Sequence, residues 1–356
     1  MSDAYAQAGV DVSQADAGVE AIVSVLSSIN TGAPSLSVPL PGHFAAVMRI
    51  SESLGLAICT DGVGSKLVVA EQSGRLDTVG IDCVAMNVND LVCVGAKPIA
   101  LVDYLAVEQS DPDRLRMIAE GLKAGAEQAG IAIPGGELAQ VPELIRGHPS
   151  PHGFDLCATA VGTVELDRII TGSQITAGDA LIGVPSSGLH SNGLTLARKV
   201  LLTGAEMTDR PEGLMGDSIA DVLLEPTVIY VRAALELLDS SLPVSGLFHI
   251  TGGGLLNLLR LGEGVGYRIE DPLEPPPVYG EIAKRGAIPV HEMYEVFNMG
   301  CGFAVTVTPD LADDAVALLA EHHPGTRRIG TVTGDGGQIT VPSLGVVGDA
   351  TGLRGG

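Results

Sequence analysis

The sequence predicts a two-domain protein of the α/β class, of the α+β type. At 356 residues the chain is long enough for two domains of ordinary size. In both halves, apolar runs of strand length alternate with segments that repeat apolar residues at helical spacing. Apolar residues make up 46% of the chain, so a sizeable core is available.

In the first half, the opening forty residues are polar and rich in turn formers, and no long element is expected there. The next two strands form a hairpin. The most clearly marked helix begins at Asp111-Pro112 and stops at Gly130. The predicted strands are short and apolar and cover residues 44–50, 54–59, 98–107, 131–133 and 154–164. The predicted helices cover residues 82–95 and 111–129.

The second half repeats the alternation after a predicted boundary segment, residues 166–177. Its predicted strands cover residues 179–184, 244–250, 303–307, 328–332 and 338–341. Its predicted helices cover the segment up to residue 202, then residues 224–238, 255–261 and 309–322. We therefore predict an N-terminal domain at 1–167, a C-terminal domain at 168–343 and a flexible, glycine-rich tail at 344–356.

Charge and cysteine usage restrict the function. Twenty basic against forty-three acidic residues give a formal net charge of −23, which argues against a nucleic-acid or anionic-membrane surface. None of the five cysteines forms a CxxC pair, so reduced core thiols are expected. The start of the chain lacks a signal-peptide pattern, and no apolar run approaches the ~20 residues of a membrane helix. A soluble, cytoplasmic protein is predicted.

The motif TDGVGSK, residues 60–66, ends an apolar strand and precedes a helix. Gly62 and Gly64 would leave backbone N–H groups free to face an anion at the helix start. Asp61 would add a hard oxygen ligand for Mg²⁺, and Lys66 a point charge for phosphate. On its own, a DGVG sequence is also compatible with a plain tight turn.

Two further groups of residues have the chemistry of a metal–nucleotide site. Asn89 and Asp90 lie mid-helix among apolar residues, where capping does not explain them, and buried oxygen side chains need a partner. Gly135 and Gly136 would let the backbone approach a ligand, with Glu137 directed to the same region. The alternative for Glu137 is an ordinary surface carboxylate.

The second half contributes polar turns. In SSGLHSNG, residues 186–193, a polar turn precedes a helix. Capping would explain Ser191 or Asn192 but not His190. A second imidazole, His249, precedes a glycine turn, and Asn298 precedes another, although an ordinary helix end would also account for Asn298. No GxSxG-type nucleophile signature occurs, so hydrolase chemistry is unsupported.

The full set of motifs resembles the phosphoribosylformylglycinamidine cyclo-ligase (AIR synthetase) family. The motifs occur in the family's order from about Ala8 to about Gly330. They are TDGVGSK, DTVGIDCVAMNVNDLVCVGAKP, LVDYLA, GGELA, SSGLHSNG, HITGGG and EMYEVFNMGCG.

The resemblance implies ATP-dependent cyclisation of formylglycinamidine ribonucleotide to aminoimidazole ribonucleotide in purine biosynthesis, with Mg²⁺. It implies a homodimer whose N-terminal sheets join in a barrel-like interface. It also implies residue roles. The metal ligands would be Asp61, Asp90 and Glu137. The other nucleotide contacts would be Gly62, Gly64, Lys66, Asn89, Gly135 and Gly136. Substrate would be bound by Ser187, His190, Ser191, Asn192, Thr251, Gly252, Gly253 and Asn298. The catalytic residues would be His190, His249 and Lys66.

Three departures from the family pattern stand out. The loop before the first strand reads Pro41-Gly42-His43-Phe44, Leu138 replaces a threonine beside Glu137, and the insert at 146–152 is unassigned. His43, His148 and His152 are expected on mobile surface segments.

The rivals are sister enzymes of the superfamily and a non-catalytic nucleotide-binding protein. Selenophosphate synthetase would need a reactive cysteine near the N-terminus, whereas the first here is Cys59. Thiamine-monophosphate kinase and the hydrogenase-maturation dehydratase usually lack the HSNG and NMGCG motifs, and formylglycinamidine synthetase is much longer. A non-catalytic descendant would be expected to lose Asp61, Asp90 or His190.

Overall fold

The computed structural model describes Gly9 and residues 12–356, and these fold around two sheets. Two sequence-based observations fall outside the described residues. They are the start of the family resemblance at Ala8 and most of the N-terminal segment that lacks a signal-peptide pattern. No described helix is both long and apolar enough to cross a bilayer.

The helices, numbered along the described chain, are α1 Val12–Leu26, α2 Lys66–Ser73, α3 Val79–Cys93, α4 Pro112–Ala129, α5 Leu194–Leu201, α6 Ile219–Leu224, α7 Val231–Asp239, α8 Pro277–Gly286, α9 Val290–Val296 and α10 Ala312–His322. The strands are β1 Ala46–Arg49, β2 Leu54–Gly62, β3 Lys97–Val107, β4 Ala132–Gln140, β5 Phe154–Glu165, β6 Ala180–Pro185, β7 Val244–His249, β8 Gly266–Ile269, β9 Cys301–Val307, β10 Arg327–Thr333, β11 Ile339–Val341, β12 Val346–Asp349 and β13 Gly352–Gly355.

The first sheet has five strands in the order β1-β2-β5-β3-β4. Only β3 and β4 run parallel. Helix α3 packs on one face, and α4 packs on α3. The opposite face exposes Val102 and Tyr104 by 44% and 43%. The sheet is open, with β1 and β4 at its edges, so a barrel-like arrangement would require a second chain.

Two glycines let α3 and α4 approach at backbone distance. A Cβ atom on Gly80 would lie 2.1 Å from the backbone nitrogen of Leu122, and one on Gly121 would lie 2.3 Å from the carbonyl oxygen of Asp77. No side chain fits at either position. Helix α4 is also fixed at its start, where Asp111 accepts hydrogen bonds from two N–H groups of the first turn.

The second sheet has eight strands in the order β13-β12-β11-β8-β10-β6-β9-β7. Its strands pair antiparallel except for β8 with β11. Strand β9 is buried along its whole length, as expected for a strand that is paired on both sides in a covered sheet. The two-domain α+β prediction agrees with these two sheets, and the proposed boundary between residues 167 and 168 stays a prediction.

The structure corrects three predicted elements. The opening forty residues contain α1, because residues 12–26 carry no proline and repeat apolar residues. The predicted helix 224–238 is two helices, since Pro226 disfavours the helical conformation at Glu225, whose ψ is 122°. The predicted flexible tail is ordered: β12 and β13 form a hairpin on the edge of the second sheet.

The C-terminal hairpin is held by packing as well as by strand pairing. Leu353 is 6% exposed, and its N–H donates to Glu295 Oε2 at 2.8 Å. Such a side chain contributes to the core, whereas a frayed tail would leave it in water.

We expect Leu353→Ala to lower the free energy of unfolding by about 2–4 kcal/mol, because it leaves a cavity under the hairpin. Urea unfolding of the variant measures this. The matched control is Leu144→Ala, since Leu144 is 83% exposed and its truncation should change stability by less than about 0.5 kcal/mol. Equal stability of the two variants would show that the tail is not docked.

Candidate functional site

The candidate site lies where the two halves of the chain meet. Asp90 of α3 accepts a hydrogen bond from His249, at the end of β7, with 2.8 Å between Oδ1 and Nδ1. The Cys59 thiol donates to Asp90 Oδ2 at 3.6 Å. The imidazole is fully buried and the carboxylate is 15% exposed, so Asp90 sits at the edge of a largely closed junction.

Asp61 lies near the end of β2, still inside the strand. Asn87 of α3 fixes its backbone by accepting from the Asp61 N–H at 3.0 Å and donating to its carbonyl oxygen at 3.1 Å. Burial raises the pKa of the Asp61 carboxyl, the Gly62 N–H lowers it, and the charge of Asp90 raises it again. Asn87 was missed by the sequence reasoning, although its mid-helix position is the same signal that marked Asn89.

The pair Asp61 and Asp90 fits a metal–nucleotide complex better than a metal ion alone. The two negative charges repel each other at a partly buried position, and a bound cation would reduce that repulsion. Within residues 12–356, no group of three or more His, Cys, Asp or Glu side chains could hold a metal by itself. Mg²⁺ is usually bound by one or two carboxylates, with phosphates and waters completing its shell.

Glu137 does not join these carboxylates within one chain, which corrects its predicted role as a third ligand. It lies in β4, in the same register row as Gly62 of β2, but β3 and β5 stand between these two strands, so three inter-strand distances separate them. At about 4.8 Å per spacing, the backbones are about 14 Å apart. Its side chain is exposed, so the surface alternative describes it in the single chain.

Gly135 and Gly136 are also inside β4, whereas the predicted strand ended at residue 133. A Cβ atom on Gly136 would lie 2.3 Å from Asp103 Oδ1, so this glycine makes room for a carboxylate. Asp103 is in the same register row as Asp61, through Ala158 of β5, and burial raises its pKa. Sequence reasoning did not single out Asp103, although it lies within the LVDYLA motif.

The glycine turn after Asp61 leads into α2 as predicted. Gly64 has a φ of +72°, and an added Cβ would meet nothing within 4 Å. Ser65 gives α2 no side-chain cap, and the N–H groups of Leu67 and Val68 donate to the carbonyl oxygens of Gly64 and Ser65. Ser65 Oγ lies 2.9 Å from Thr195 Oγ1 of α5, so the starts of α2 and α5 meet across the two halves.

Lys66 does not face this turn. Its ammonium is fully buried, 2.9 Å from Asp82 Oδ2, and it also donates to the carbonyl oxygens of Glu225 at 2.6 Å and His190 at 3.2 Å. An ammonium has three donors, and these contacts use them. The predicted phosphate and catalytic roles of Lys66 are therefore replaced by a structural one.

Asn89 is likewise committed to the fold and not to a nucleotide. Its Oδ1 accepts from the Tyr230 N–H and its Nδ2 donates to the Val228 carbonyl oxygen, both at 2.9 Å. His249 Nε2 lies 3.4 Å from the same Nδ2. Asn89 thus holds the segment between α6 and α7 against α3.

His190 is 1% exposed and has a φ of +57°, in the left-handed region that non-glycine residues seldom adopt. Its Nε2 accepts from the N–H groups of Ser187 at 3.3 Å and Val228 at 3.5 Å. Burial lowers the pKa of His190 well below its usual value, and the nearby charges of His249 and Lys66 lower it further. The imidazole is enclosed, yet its Nδ1 has no hydrogen-bond partner in the described part of the chain, so the predicted roles of His190 stay predictions.

The side chains of two other predicted substrate ligands already have hydrogen-bond partners within the chain. Ser187 Oγ donates to the Pro226 carbonyl oxygen at 2.6 Å. Asn298 Oδ1 accepts from Ser186, Tyr279 and Gly300, and its Nδ2 donates to the Gly188 carbonyl oxygen. Asn298 therefore shapes the 186–193 turn from beneath instead of contacting substrate.

Among the remaining predicted residues, Asn192 has a side-chain donor that no described residue uses. Asn192 Nδ2 is buried without a hydrogen-bond partner in the described part of the chain. A Cβ atom on Gly252 would lie 3.2 Å from Asn192 Oδ1, so the two polar turns adjoin. Asn257, which the sequence reasoning missed, donates to the Gly252 carbonyl oxygen at 3.1 Å and stiffens the second turn. Ser191 of the first turn, with Thr251 and Gly253 of the second, belongs to this same region.

His43 is the last corrected expectation. It was expected on a mobile surface segment, but its Nε2 lies 2.7 Å from the Ile170 carbonyl oxygen. Burial lowers its pKa to about 4. Arg260 donates to the carbonyl oxygens of Gly42 and His43 and stacks on Phe44, so this loop is anchored to the second half.

Comparison with known proteins gives two family matches that together cover most of the chain. The AIR synthase related protein, N-terminal domain, matches residues 42–164, and the AIR synthase related protein, C-terminal domain, matches residues 176–342.

Two similar relatives are phosphoribosylformylglycinamidine cyclo-ligases. That of Methanothermobacter thermautotrophicus is 47% identical, over 94% of this chain and 96% of its own. That of Thermococcus kodakarensis is 46% identical, over 96% and 98%.

Solved structures share the fold at low identity. AaThiL complexed with AMPPCP and TMP has a TM-score of 0.62 at 17% identity, covering 91% of both chains. The hydrogenase maturation protein HypE in complex with ATP has a TM-score of 0.60 at 21% identity, covering 89% of both chains.

We expect Lys66→Met to lower the free energy of unfolding by about 3–5 kcal/mol, because it leaves the Asp82 carboxylate buried without its partner. Adding Asp82→Asn should restore most of that loss, since the amide is neutral. Urea unfolding measures both variants. The control is Lys123→Met, because the Lys123 side chain is 74% exposed. Unchanged stability of Lys66→Met together with weakened ATP binding would instead support the predicted contact between Lys66 and phosphate.

Proposed function

This chain belongs to the phosphoribosylformylglycinamidine cyclo-ligase family, and we propose that the junction between its two halves carries out the family's ring closure. The enzyme is an ATP-dependent cyclo-ligase of purine biosynthesis, as the sequence predicted. Its reaction converts formylglycinamidine ribonucleotide and ATP into aminoimidazole ribonucleotide, ADP and phosphate.

The observation that carries the site assignment is the convergence of Asp61 and Asp90 at this junction. Asp90 is oriented from the second half by His249 at 2.8 Å, and Asp61 is oriented from α3 by Asn87. We propose that these two carboxylates bind Mg²⁺–ATP, with the Gly62–Gly64 turn next to the phosphates. Bound Mg²⁺ would neutralise phosphate charge there. His249 then acts as a positioning residue for Asp90 and not as a proton donor.

The substrate side is proposed to be the pair of polar turns that contain Asn192 and Gly252. The unpartnered Asn192 amide and the backbone of the glycine turn offer hydrogen-bond donors. A fold neighbour, T. maritima PurL complexed with FGAR, has a TM-score of 0.58 at 16% identity, covering 87% of this chain and 47% of that chain. Its ligand is a ribonucleotide of the same chemical class.

The chemistry requires two coupled steps. The formyl amide oxygen attacks the γ-phosphorus of ATP, which forms an O–P bond and releases ADP. The amidine nitrogen then attacks the activated carbon, the C–O bond breaks, phosphate leaves, and the nitrogen loses a proton. The chain's contribution is to hold the two reactants in contact and to exclude water, which is the larger part of catalysis in phosphoryl transfer.

The function is tested with purified protein, ATP, Mg²⁺ and formylglycinamidine ribonucleotide, followed by colorimetric detection of aminoimidazole. We expect Asp61→Asn to lower kcat/KM on the order of a hundredfold, the size typical of losing one electrostatic contact to a reacting group. Asp313→Asn makes the same chemical change on the exposed surface of α10 and should match the wild type. Substrate-dependent phosphate release without aminoimidazole would instead indicate a sister enzyme.

We also propose a cytoplasmic homodimer that uses the open face of the first sheet. Val102 and Tyr104 on that face are about half exposed, and an exposed apolar sheet face is typical of an association surface. Neither a nucleic acid nor a membrane is proposed as a partner, since the net charge is −23.

Light scattering should report a dimer at micromolar concentration, and Val102→Glu should shift it to a monomer, because a charge would be buried at the interface. Leu144→Glu, at an exposed position outside the strands of the sheet, is the control and should leave the dimer intact. A monomeric wild-type protein would contradict the proposal.

A further inference from the structure

The segment that joins α6 to α7, residues 225–230, is the most heavily bonded connection between the two halves. Its polar contacts reach α2 and α3 on one side and the 186–193 turn on the other. We name it the connector. It exists because Pro226 interrupts what would otherwise be one helix.

On the side of the first half, the connector is bound by a buried carboxylate. Asp82 Oδ1 accepts from the Thr227 N–H at 2.8 Å and from Thr227 Oγ1 at 2.6 Å. Lys66 pairs with the same carboxylate and donates to the Glu225 carbonyl oxygen. Thr227 is 2% exposed, so these bonds form away from water.

On the other side, the connector holds the turn that carries the proposed substrate contacts. The Pro226 carbonyl oxygen accepts from Ser187, and the Val228 N–H donates to His190 Nε2. Thr227 Oγ1 lies 3.3 Å from Ser191 Oγ, next to Asn192. The Thr227 hydroxyl therefore contacts both the buried Asp82 carboxylate and the 186–193 turn, which we call the substrate turn.

The turn needs such support because its backbone is strained. His190 has a φ of +57°, a strained conformation for a residue other than glycine that persists only where surrounding contacts impose it. The Lys66 ammonium bonds the carbonyl oxygen of that same residue, at 3.2 Å. Hydrogen bonds thus hold the strained turn at both the imidazole and the backbone carbonyl of His190.

We propose that Thr227 and Asp82 are positioning residues for the substrate turn: the buried charge in the first half fixes the connector, and the connector fixes residues 187–192. This inference rests on the proposed function for its kinetic consequence, but the placement of the turn can be measured without activity. It gives a role to Thr227, which touches neither reactant in the proposed site.

Thr227→Val removes the hydroxyl, keeps the shape, and keeps the N–H bond to Asp82. We expect the KM for formylglycinamidine ribonucleotide to rise about tenfold, the size of one buried hydrogen bond, while the KM for ATP changes less than about twofold. Thr227→Ser restores the hydroxyl and should return the KM toward the wild-type value. Thr306→Val is the matched control, because Thr306 is fully buried and its hydroxyl is bonded to Ser245 in the second sheet.

Hydrogen–deuterium exchange of the peptide that contains residues 186–192 measures the turn directly, in free enzyme. Faster exchange in Thr227→Val, but not in Thr227→Ser or Thr306→Val, is expected. The proposal is overturned by unchanged exchange and KM in Thr227→Val, by an equal rise of the KM for ATP, or by the same change in Thr306→Val. If wild-type protein forms no aminoimidazole while the exchange pattern holds, the proposed function fails and the positioning role stands.

Discussion

The buried ion pair of Lys66 and Asp82 is the interaction on which the arrangement of the site depends. Both side chains are fully buried, one at the start of α2 and the other on α3. Taking two such charges out of water costs several kcal/mol each, and the pair is tolerated only when further polar partners complete its hydrogen bonds. Here those partners are backbone groups and a hydroxyl of the second half. The pair therefore requires the second half to dock in one orientation.

The two halves then meet through contacts of three kinds at one junction. A carboxylate and an imidazole join α3 to the end of β7, two hydroxyls join the starts of α2 and α5, and the connector joins α3 to the substrate turn. All are short-range and directional, so they specify geometry more strongly than an apolar interface would. Nucleotide and substrate sides of the proposed site are consequently parts of one hydrogen-bonded structure.

The sequence predicted most strands, the buried α3 and α4, the family and the ligase function, because periodicity, caps and motif order are local signals. It did not predict α1 or the ordered tail, because the polar and glycine-rich composition of those segments favours turns, nor the break at Pro226, which was placed inside one predicted helix. At the site, the charges of Asp61 and Asp90 interact, and their role as metal–nucleotide ligands stays a prediction. Lys66, Asn89 and Asn298 were assigned to ligands by their motifs, yet each has hydrogen-bond partners more than 100 positions away in the chain. Spacing along the sequence does not contain that information.

The backbone-to-backbone contact of Gly80 and Gly121 has a mechanical consequence. Helix α3 has no compressible side-chain layer between itself and α4 at that point, so it cannot roll or slide without breaking the contact. Helix α3 is therefore the part of the junction that stays fixed relative to α4. The turn at residues 251–254 is confined in the same way, since a Cβ atom on Gly254 would lie 2.1 Å from the Tyr294 carbonyl oxygen, so both sides of the junction resist local deformation.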